Sequence, residues 1–479
     1  MQYTEFLQRI KGVRCGVVGI GISNLPLIDF LCRAGAHVCA RDRKTASELG
    51  EIAHELTQKG VRLVLGDGYL DEMDEEVIFR SPGIRPDLPQ FLKATQNGSI
   101  LTSEMELFLE LTPARVLGVT GSDGKTTTTT LLFEILKRVQ NAKNTQNRIY
   151  VGGNIGRPLL PFVEEMTAND IAVLELSSFQ LQTATRSPVS SVITNLSPNH
   201  LNWHVDMSEY VHAKANIFLH KECKHLTLNA DNEESMRLIA EYNLPNKQIT
   251  YFSSRKQSVT EFPALKEGDS AVFEKDGWIL FEHANGREAI LKTEDILLPG
   301  RHNLENYMAA IATASSLEEI PIGSIRDVAT TFAGVAHRLE RVRVHEGVAY
   351  YNSSIDTTPS RTEASLTALN RKCIVICGGY DKNLSFAPLA ETLATYAKAV
   401  VLTGATAQKI KDALLINKAF SAQTIPVLEE SDFTDAVKRA RSIATSGDTV
   451  LLSPACASFD AFKNFEERGE RFRRIVSTF

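Results

Sequence analysis

Short apolar runs closed by glycine, serine or asparagine recur along the chain. Most are followed by stretches with apolar residues every three or four positions, so strands alternate with helices. Val13–Ile20 reads as a strand ending in Gly19-Ile20-Gly21-Ile22-Ser23-Asn24, with a helix over Leu25–Ala34 and a second strand, His37–Ala40, that ends at Asp42. Val77–Arg80 is a further strand and closes on the turn Ser81-Pro82-Gly83-Ile84. Leu101–Leu111 is expected to be helical with Ser103 as its cap, and Thr112-Pro113-Ala114 reads as a linker. Val116–Val119 is a short buried strand, and Leu131, Leu132, Ile135, Leu136 and Val139 give Thr126–Val139 a helical apolar face. Tyr150–Gly156 reads as a glycine-rich turn, and Ile171–Leu176 and Ser191–Asn195 as buried strands. Ser208 is expected to cap a helix over Glu209–Leu219. Strands fall near 226–228 and 250–252, a hairpin over Ala271–Phe281 turns at Asp276-Gly277, and Tyr307, Ala310 and Ala314 share one helix face. Beyond Val335 come a hairpin about Glu346-Gly347, a helix over Thr362–Leu369 and a buried strand, Cys373–Cys377. The fold class is α/β, and 479 residues leave room for about three domains.

Composition changes this picture little. Hydrophobic residues make up 43% and charged residues 23%, as in ordinary globular proteins. The net charge of −6 and the lack of a Lys/Arg block disfavour nucleic acid as a partner. No apolar run approaches the ~18 residues of a membrane span, and the N-terminus lacks a signal-peptide core, so a cytoplasmic protein is expected. The seven cysteines form no C-x-x-C pair and are expected to be core residues.

The chemistry centres on Thr120-Gly121-Ser122-Asp123-Gly124-Lys125-Thr126-Thr127. A strand, a glycine loop, Lys-Thr and a helix make a phosphate cradle. Backbone N–H groups at the helix N-terminus face the anion, Lys125 reaches the β and γ phosphates, and the Thr126 hydroxyl meets Mg²⁺. Val119 stands where the strict pattern has its first glycine, so the motif is the variant T-G-x-x-G-K-T.

Around it lie three less decisive signals. The Gly19–Asn24 turn is a dinucleotide fingerprint whose third glycine is replaced by Asn24, with Asp42 at the distance of a ribose-binding acid; NAD, FAD, another nucleotide or none remain open. Glu175 ends an apolar strand, as a Mg²⁺ ligand or as a cap for the next turn. His200 and His204 have half the spacing of a zinc site, but H-E-x-x-H lacks its Glu and Pro198 and Trp203 disturb the helical pattern, so zinc is not expected. Lys214 by itself reads as a solvated helix lysine.

TGSDGKTT, GGNIG, ELSSFQL, Asn199-His200, LLPGRHNLEN, AHRLE and LLSPACASFDAFKNFEERG occur here in the order of the Mur ligases. Over essentially its whole length the chain resembles that family, and within it the members that add D-glutamate. The resemblance implies a Rossmann-like N-terminal domain (1–112) for the UDP substrate, a central P-loop-type ATPase domain (113–334) and a Rossmann-like C-terminal domain (335–479) for the amino acid. It implies an ATP-dependent amide-bond-forming ligase of peptidoglycan synthesis, acting on UDP-N-acetylmuramoyl-L-alanine, glutamate and ATP with two Mg²⁺ ions; a monomer is expected. By the same resemblance Ile22, Ser23, Asp42, Arg43 and Ser81 line the UDP site, and Asn154 and Gln180 hold the sugar-peptide part. Asn303, Asn306 and Arg338 meet the adenine nucleotide, with Arg338 at its phosphates. His200 holds the second Mg²⁺, and Lys214 is the lysine that takes up CO₂ as a carbamate. Thr357, Lys382, Ser458, Phe459 and Phe465 face the amino acid.

The implied reaction turns the alanyl carboxylate into an acyl phosphate, which the glutamate amine then attacks. Domain closure is expected to exclude water from it. One stretch departs from the family. In Asn352-Ser353-Ser354-Ile355-Asp356-Thr357-Thr358, Ser353 replaces Asp and Ile355 replaces Lys of N-D-S-K-A-T-N, with Arg361 as the compensating cation. The departure bears on D- against L-glutamate. An L-glutamate-adding variant, another Mur or folylpolyglutamate-type ligase, and a nucleotide-binding regulatory protein are the other readings.

Overall fold

Runs such as Cys373–Cys377, buried at every position, become central parallel strands because both faces of the sheet are covered by helices. The computed structural model describes residues 2–479 except Ile22, Asn243, Pro245, Ala284, Asn285, Pro299, Glu318 and Asn383. Among the described residues the strands form three sheets. Residues 1–296 with 301–330 make one compact unit, and 297–300 with 331–479 make another.

The first sheet is parallel, in the order Arg62–Leu65, His37–Asp42, Arg14–Val18, Val77–Arg80, Ile100–Thr102. The order reverses beside Arg14–Val18, so the turns after that strand and after Val77–Arg80 share one crevice. The second sheet runs Gly286–Lys292, Trp278–His283, Ser270–Lys275, Gln248–Ser253, His225–Asn229, Ser190–Ile193, Arg115–Thr120, Ile171–Glu175, Ile149–Gly153. Its last hairpins are antiparallel. Helix Lys125–Lys143 packs beside it and buries Leu131, Leu132, Ile135, Leu136 and Val139, each worth roughly 1.5–3 kcal/mol against exposure. One apolar cluster runs from Phe30 and Phe108 of the first sheet's layer through Leu160 and Val163 to Leu174, Ile193 and Leu226 of the second, which is why the two sheets form one unit.

In the other unit the order is Glu340–His345, Val348–Asn352, Thr449–Leu452, Cys373–Cys377, Ala397–Leu402, Val427–Glu429. Leu366, Leu389 and Leu414 cover one face, and Val437, Phe472 and Val476 the other. The strands Val348–Asn352, Thr449–Leu452 and Cys373–Cys377 are parallel neighbours, so the loops that follow them gather at one edge.

Three local expectations change. Ile100–Thr102 is an edge strand, and the helix begins at Glu104, with Ser103 accepting from the Glu106 N–H as expected. The helix carrying Lys214 spans Met207–Leu219 and is capped by Asp206, not Ser208. Ile149–Gly153 pairs with Ile171–Glu175, so much of the glycine-rich turn is strand. No helix among the described residues is long and apolar enough to cross a membrane.

Candidate active site

Strand Arg115–Thr120 lies between Ile171–Glu175 and Ser190–Ile193, so the turns after all three meet at one edge. Gly121 has φ +148° and Gly124 φ +78°; a Cβ on the first would strike the Thr194 hydroxyl, and on the second the Asn306 amide. Gly124 caps the helix that starts at Lys125, with Thr126 and Thr127 in its first turn. The loop is held from both sides: Asn195 Oδ1 accepts the Asp123 N–H at 3.0 Å, and the Ser122 hydroxyl bonds the Ser197 carbonyl at 2.9 Å and Tyr210 at 2.8 Å. Lys125 Nζ donates to the carbonyls of Gly121 (2.9 Å) and Ser122 (2.7 Å). Asn306 accepts from the Thr128 hydroxyl at 3.1 Å and donates to Asn303 at 3.3 Å, which puts both asparagines of helix Arg301–Ser315 against the loop helix.

Glu175 is 2% exposed. Its Oε1 accepts from Asn154 Nδ2 at 2.8 Å, while Oε2 is buried with no hydrogen-bond partner. Ser177, not Glu175, caps the following turn, and Gln180 Oε1 completes that box. An orphaned carboxylate oxygen beside a phosphate loop fits a divalent cation. Among the described residues no group of three or more His, Cys, Asp and Glu is gathered. The ligand set proposed from sequence contains only two such residues, Glu175 and His200, beside Thr126 and Lys214.

Lys214 is not solvated. It is 2% exposed, with Nζ 2.8 Å from the Gly121 carbonyl and 3.2 Å from the Thr120 hydroxyl. Burial first, and then the Lys125 ammonium, push its pKa well below the ordinary lysine range. A neutral amine is the nucleophilic form. His200 sits in a positive-φ turn (54°) with its ring 5.0 Å from Phe179. Desolvation and the two lysines lower its pKa, which favours the neutral imidazole that binds metals.

In the first crevice Asp42 accepts the N–H groups of Ile20 (2.6 Å) and Lys44 (2.9 Å). Ser81 lies against Gly19; Ser23 is half-buried, and Arg43 is exposed beside Asp42. Ile22 lies outside the described residues. Asn24, in place of the third glycine, is 2% exposed and donates to the carbonyls of Gly19 (2.8 Å) and Val18 (3.3 Å).

In the other unit Thr357, Lys382, Ser458 and Phe459 fall on the three gathered loops, and Phe465 opens the last helix, Phe465–Ser477. Ser458 is buried, Lys382 exposed and Phe459 64% exposed, with its ring edge on Tyr380. The Phe465 carbonyl accepts from the Ser354 hydroxyl at 2.8 Å. Arg338 sits in a tight turn between His337 (φ 63°) and Leu339 (φ 44°). Sequence reasoning missed Arg468. It is 2% exposed and ties Ser354 to the carbonyls of Cys456 and Ala457, joining two of the loops. It missed Arg80, Arg85 and Glu209 as well; an arginine ending an apolar strand, as Arg80 does, was the available signal.

Residues 119–314 match the model of the Mur ligase middle domain, and residues 337–456 that of the Mur ligase glutamate ligase domain. The UDP-N-acetylmuramoylalanine–D-glutamate ligase of Clostridium novyi is 46% identical over 479 residues, 99% of each chain. The chain belongs to the Mur ligase family. The like-named ligase of Acetivibrio thermocellus is 44% identical, covering 99% of this chain and 98% of its own. Among solved structures, the UDP-N-acetylmuramate-alanine ligase of Thermotoga maritima shares the Mur ligase fold at a TM-score of 0.55 and 18% identity, covering 98% of this chain and 100% of that one. A UDP-N-acetylmuramoyl-L-alanyl-D-glutamate–2,6-diaminopimelate ligase does so at 0.55 and 16%, over 98% and 93%. Membership of the Mur ligases implies the use of ATP and Mg²⁺.

Proposed function

We propose that this chain joins D-glutamate to UDP-N-acetylmuramoyl-L-alanine at the expense of ATP, in the assembly of the peptidoglycan precursor. The full-length similarity to ligases named for that reaction supports the substrates. The observation that carries the chemistry is that a half-satisfied buried carboxylate, Glu175, and a buried amine, Lys214, whose pKa burial pushes well down, both lie beside the phosphate loop.

The loop N–H groups from Gly121 to Thr127 and the Lys125 ammonium hold the ATP phosphates, with Asn303 and Asn306 toward the adenosine and Arg338 at the phosphates. A carboxylate oxygen of the alanyl group attacks the γ-phosphorus, the bond to ADP breaks, and an acyl phosphate forms. The amine of glutamate adds to that carbonyl, loses a proton and expels phosphate, leaving the amide. When bound, Mg²⁺ supplies the positive charge that lets these anions meet. Thr126, Glu175, His200 and Lys214 are the residues that would hold two such ions. The Lys214 amine adds CO₂ and releases a proton, becoming a carbamate whose negative charge would hold the metal. Ser23, Asp42, Arg43 and Ser81, together with Ile22, bind the UDP end, and Asn154 and Gln180 the sugar-peptide end. Thr357, Lys382, Ser458, Phe459 and Phe465 receive glutamate. The enzyme works as a cytoplasmic monomer.

Substrate carrying ¹⁸O in its alanyl carboxylate tests the route. One labelled oxygen should appear in the released phosphate, and unlabelled phosphate would exclude the acyl phosphate.

A further inference from the structure

Two arginines bracket the turn after strand Val77–Arg80, and both reach into the central sheet's loops. Arg80 is 1% exposed. One terminal nitrogen donates to the carbonyls of Pro82 (3.2 Å) and Ile84 (3.0 Å), inside its own turn. The other donates to the Phe179 carbonyl (3.2 Å) and the Thr183 hydroxyl (3.1 Å), across the two sheets. Thr183 in turn donates to Glu106 on the helix Glu104–Leu111.

Arg85 forks onto Glu209, at 2.9 and 3.3 Å, while bonding Asp87 at 2.7 and 2.8 Å. It also donates to the Trp203 carbonyl and lies 5.0 Å over the Trp203 ring. The Trp203 indole N–H returns to the Gly83 carbonyl at 3.0 Å. From Glu209 the contacts continue inward. Its Oε2 accepts the Val205 N–H at 2.6 Å and lies 3.4 Å from Nδ1 of the buried His204. His204 Nε2 pairs with the Ser178 hydroxyl at 2.9 Å. The Phe179 ring packs on His200, Trp203 and His204 at 5.0, 4.6 and 5.7 Å.

These bonds join three pieces of the site. The 81–84 turn faces the first crevice; the 177–183 turn carries Gln180 and follows Glu175; the 200–209 segment carries His200 and opens the helix of Lys214. A free surface loop would need none of this. A planar guanidinium that satisfies backbone carbonyls on both sides fixes their spacing, which a lysine cannot reproduce.

We infer that Arg80 and Arg85 are positioning residues that lock the sugar-nucleotide turn to the Phe179 and His200 loops, so that filling the first crevice and ordering the ATP side are coupled. This rests on the proposed function for the identity of the two ligands. By linkage, each ligand tightens the other by the same factor.

The test is equilibrium binding of UDP-N-acetylmuramoyl-L-alanine with and without Mg²⁺ and a non-hydrolysable ATP analogue, on the full chain. Wild type should bind the sugar nucleotide roughly five-fold or more tighter with the analogue present. In Arg85→Lys and Glu209→Gln that ratio should fall toward one, with the analogue's own Kd in the absence of sugar nucleotide little changed. Thr183→Val, which removes one Arg80 bond without emptying the buried site, should lower it part of the way. A merely structural role would lower the melting temperature and leave the ratio intact. A wild-type ratio of one, or an undiminished ratio in the folded variants, overturns the inference. Wild-type turnover is measured alongside: its absence defeats the functional reading, whereas turnover with an undiminished ratio defeats only this coupling.

Discussion

The Lys214 side-chain nitrogen lies 2.8 Å from the carbonyl oxygen of Gly121, so the helix Met207–Leu219 delivers a buried amine to the turn of the phosphate loop. The Lys125 ammonium uses the same carbonyl at 2.9 Å. Two ammonium ions there would repel each other, and Lys214, the more buried, is the one whose pKa is pushed well below the ordinary lysine range.

That shift has a measurable sign. The folded pKa of Lys214 lies below its unfolded value of about 10.4, so this group makes stability rise with pH between the two. Lys214→Met should raise the melting temperature at pH 7, with the gain shrinking as pH approaches 10. Activity should move oppositely: Lys214→Arg, cationic throughout, should lose about 10² or more in kcat. With ¹³C-bicarbonate, a carbamate carbon signal should appear in wild type and be missing in the Arg variant.

Glu175→Gln keeps the shape and the Asn154 contact but removes the charge from the orphaned oxygen. The Mg²⁺ concentration for half-maximal rate should rise, and kcat should fall about 10²-fold. Stability should hold or increase, since a buried charge is gone. An unchanged Mg²⁺ titration would remove Glu175 from the metal site.

Glu104 and Glu106, on the helix that leads from the first sheet to the second, have carboxyls raised to about 7, chiefly by burial. Their folded pKa values lie above the unfolded ones, so the stability they contribute is complete below about pH 4.5 and is lost as pH rises through 7. Fully buried Glu104 should cost on the order of 3 kcal/mol once ionised. Glu104→Gln should flatten the fall in melting temperature between pH 5 and 8.

Arg361 Nη1 donates to the Ile355 carbonyl at 3.0 Å, so the arginine is anchored at the loop where the resemblance to N-D-S-K-A-T-N leads one to expect a lysine. Arg361→Ala should raise the KM for glutamate by roughly ten-fold or more, the scale of one charge-assisted hydrogen bond, and that for ATP much less. An unchanged glutamate KM would leave Ile355 uncompensated.

Elements set by local pattern were legible in the sequence. Cys373–Cys377 is a strand at the expected residues, and Asp276-Gly277 makes the expected turn, with φ 52° and 79°. Elements set by distant pairing were not. Ile149–Gly153 owes its strand to Ile171–Glu175 despite its glycines, and the exposed Gly286–Lys292 offers little apolar signal beyond Ile290 and Leu291. The phosphate loop could be read because its chemistry is contiguous. Lys214 looked solvated because what buries it, the loop at Thr120 and Gly121, lies far back in the chain. Arg80, Arg85 and Arg468 were hidden for the same reason: each is defined by partners on another segment.

The most direct measurement is phosphate release from ATP and Mg²⁺ with UDP-N-acetylmuramoyl-L-alanine, run in parallel with D- and L-glutamate. Release that requires the sugar nucleotide and D-glutamate together is the expected result. Release with L-glutamate alone, or with neither isomer, would contradict it.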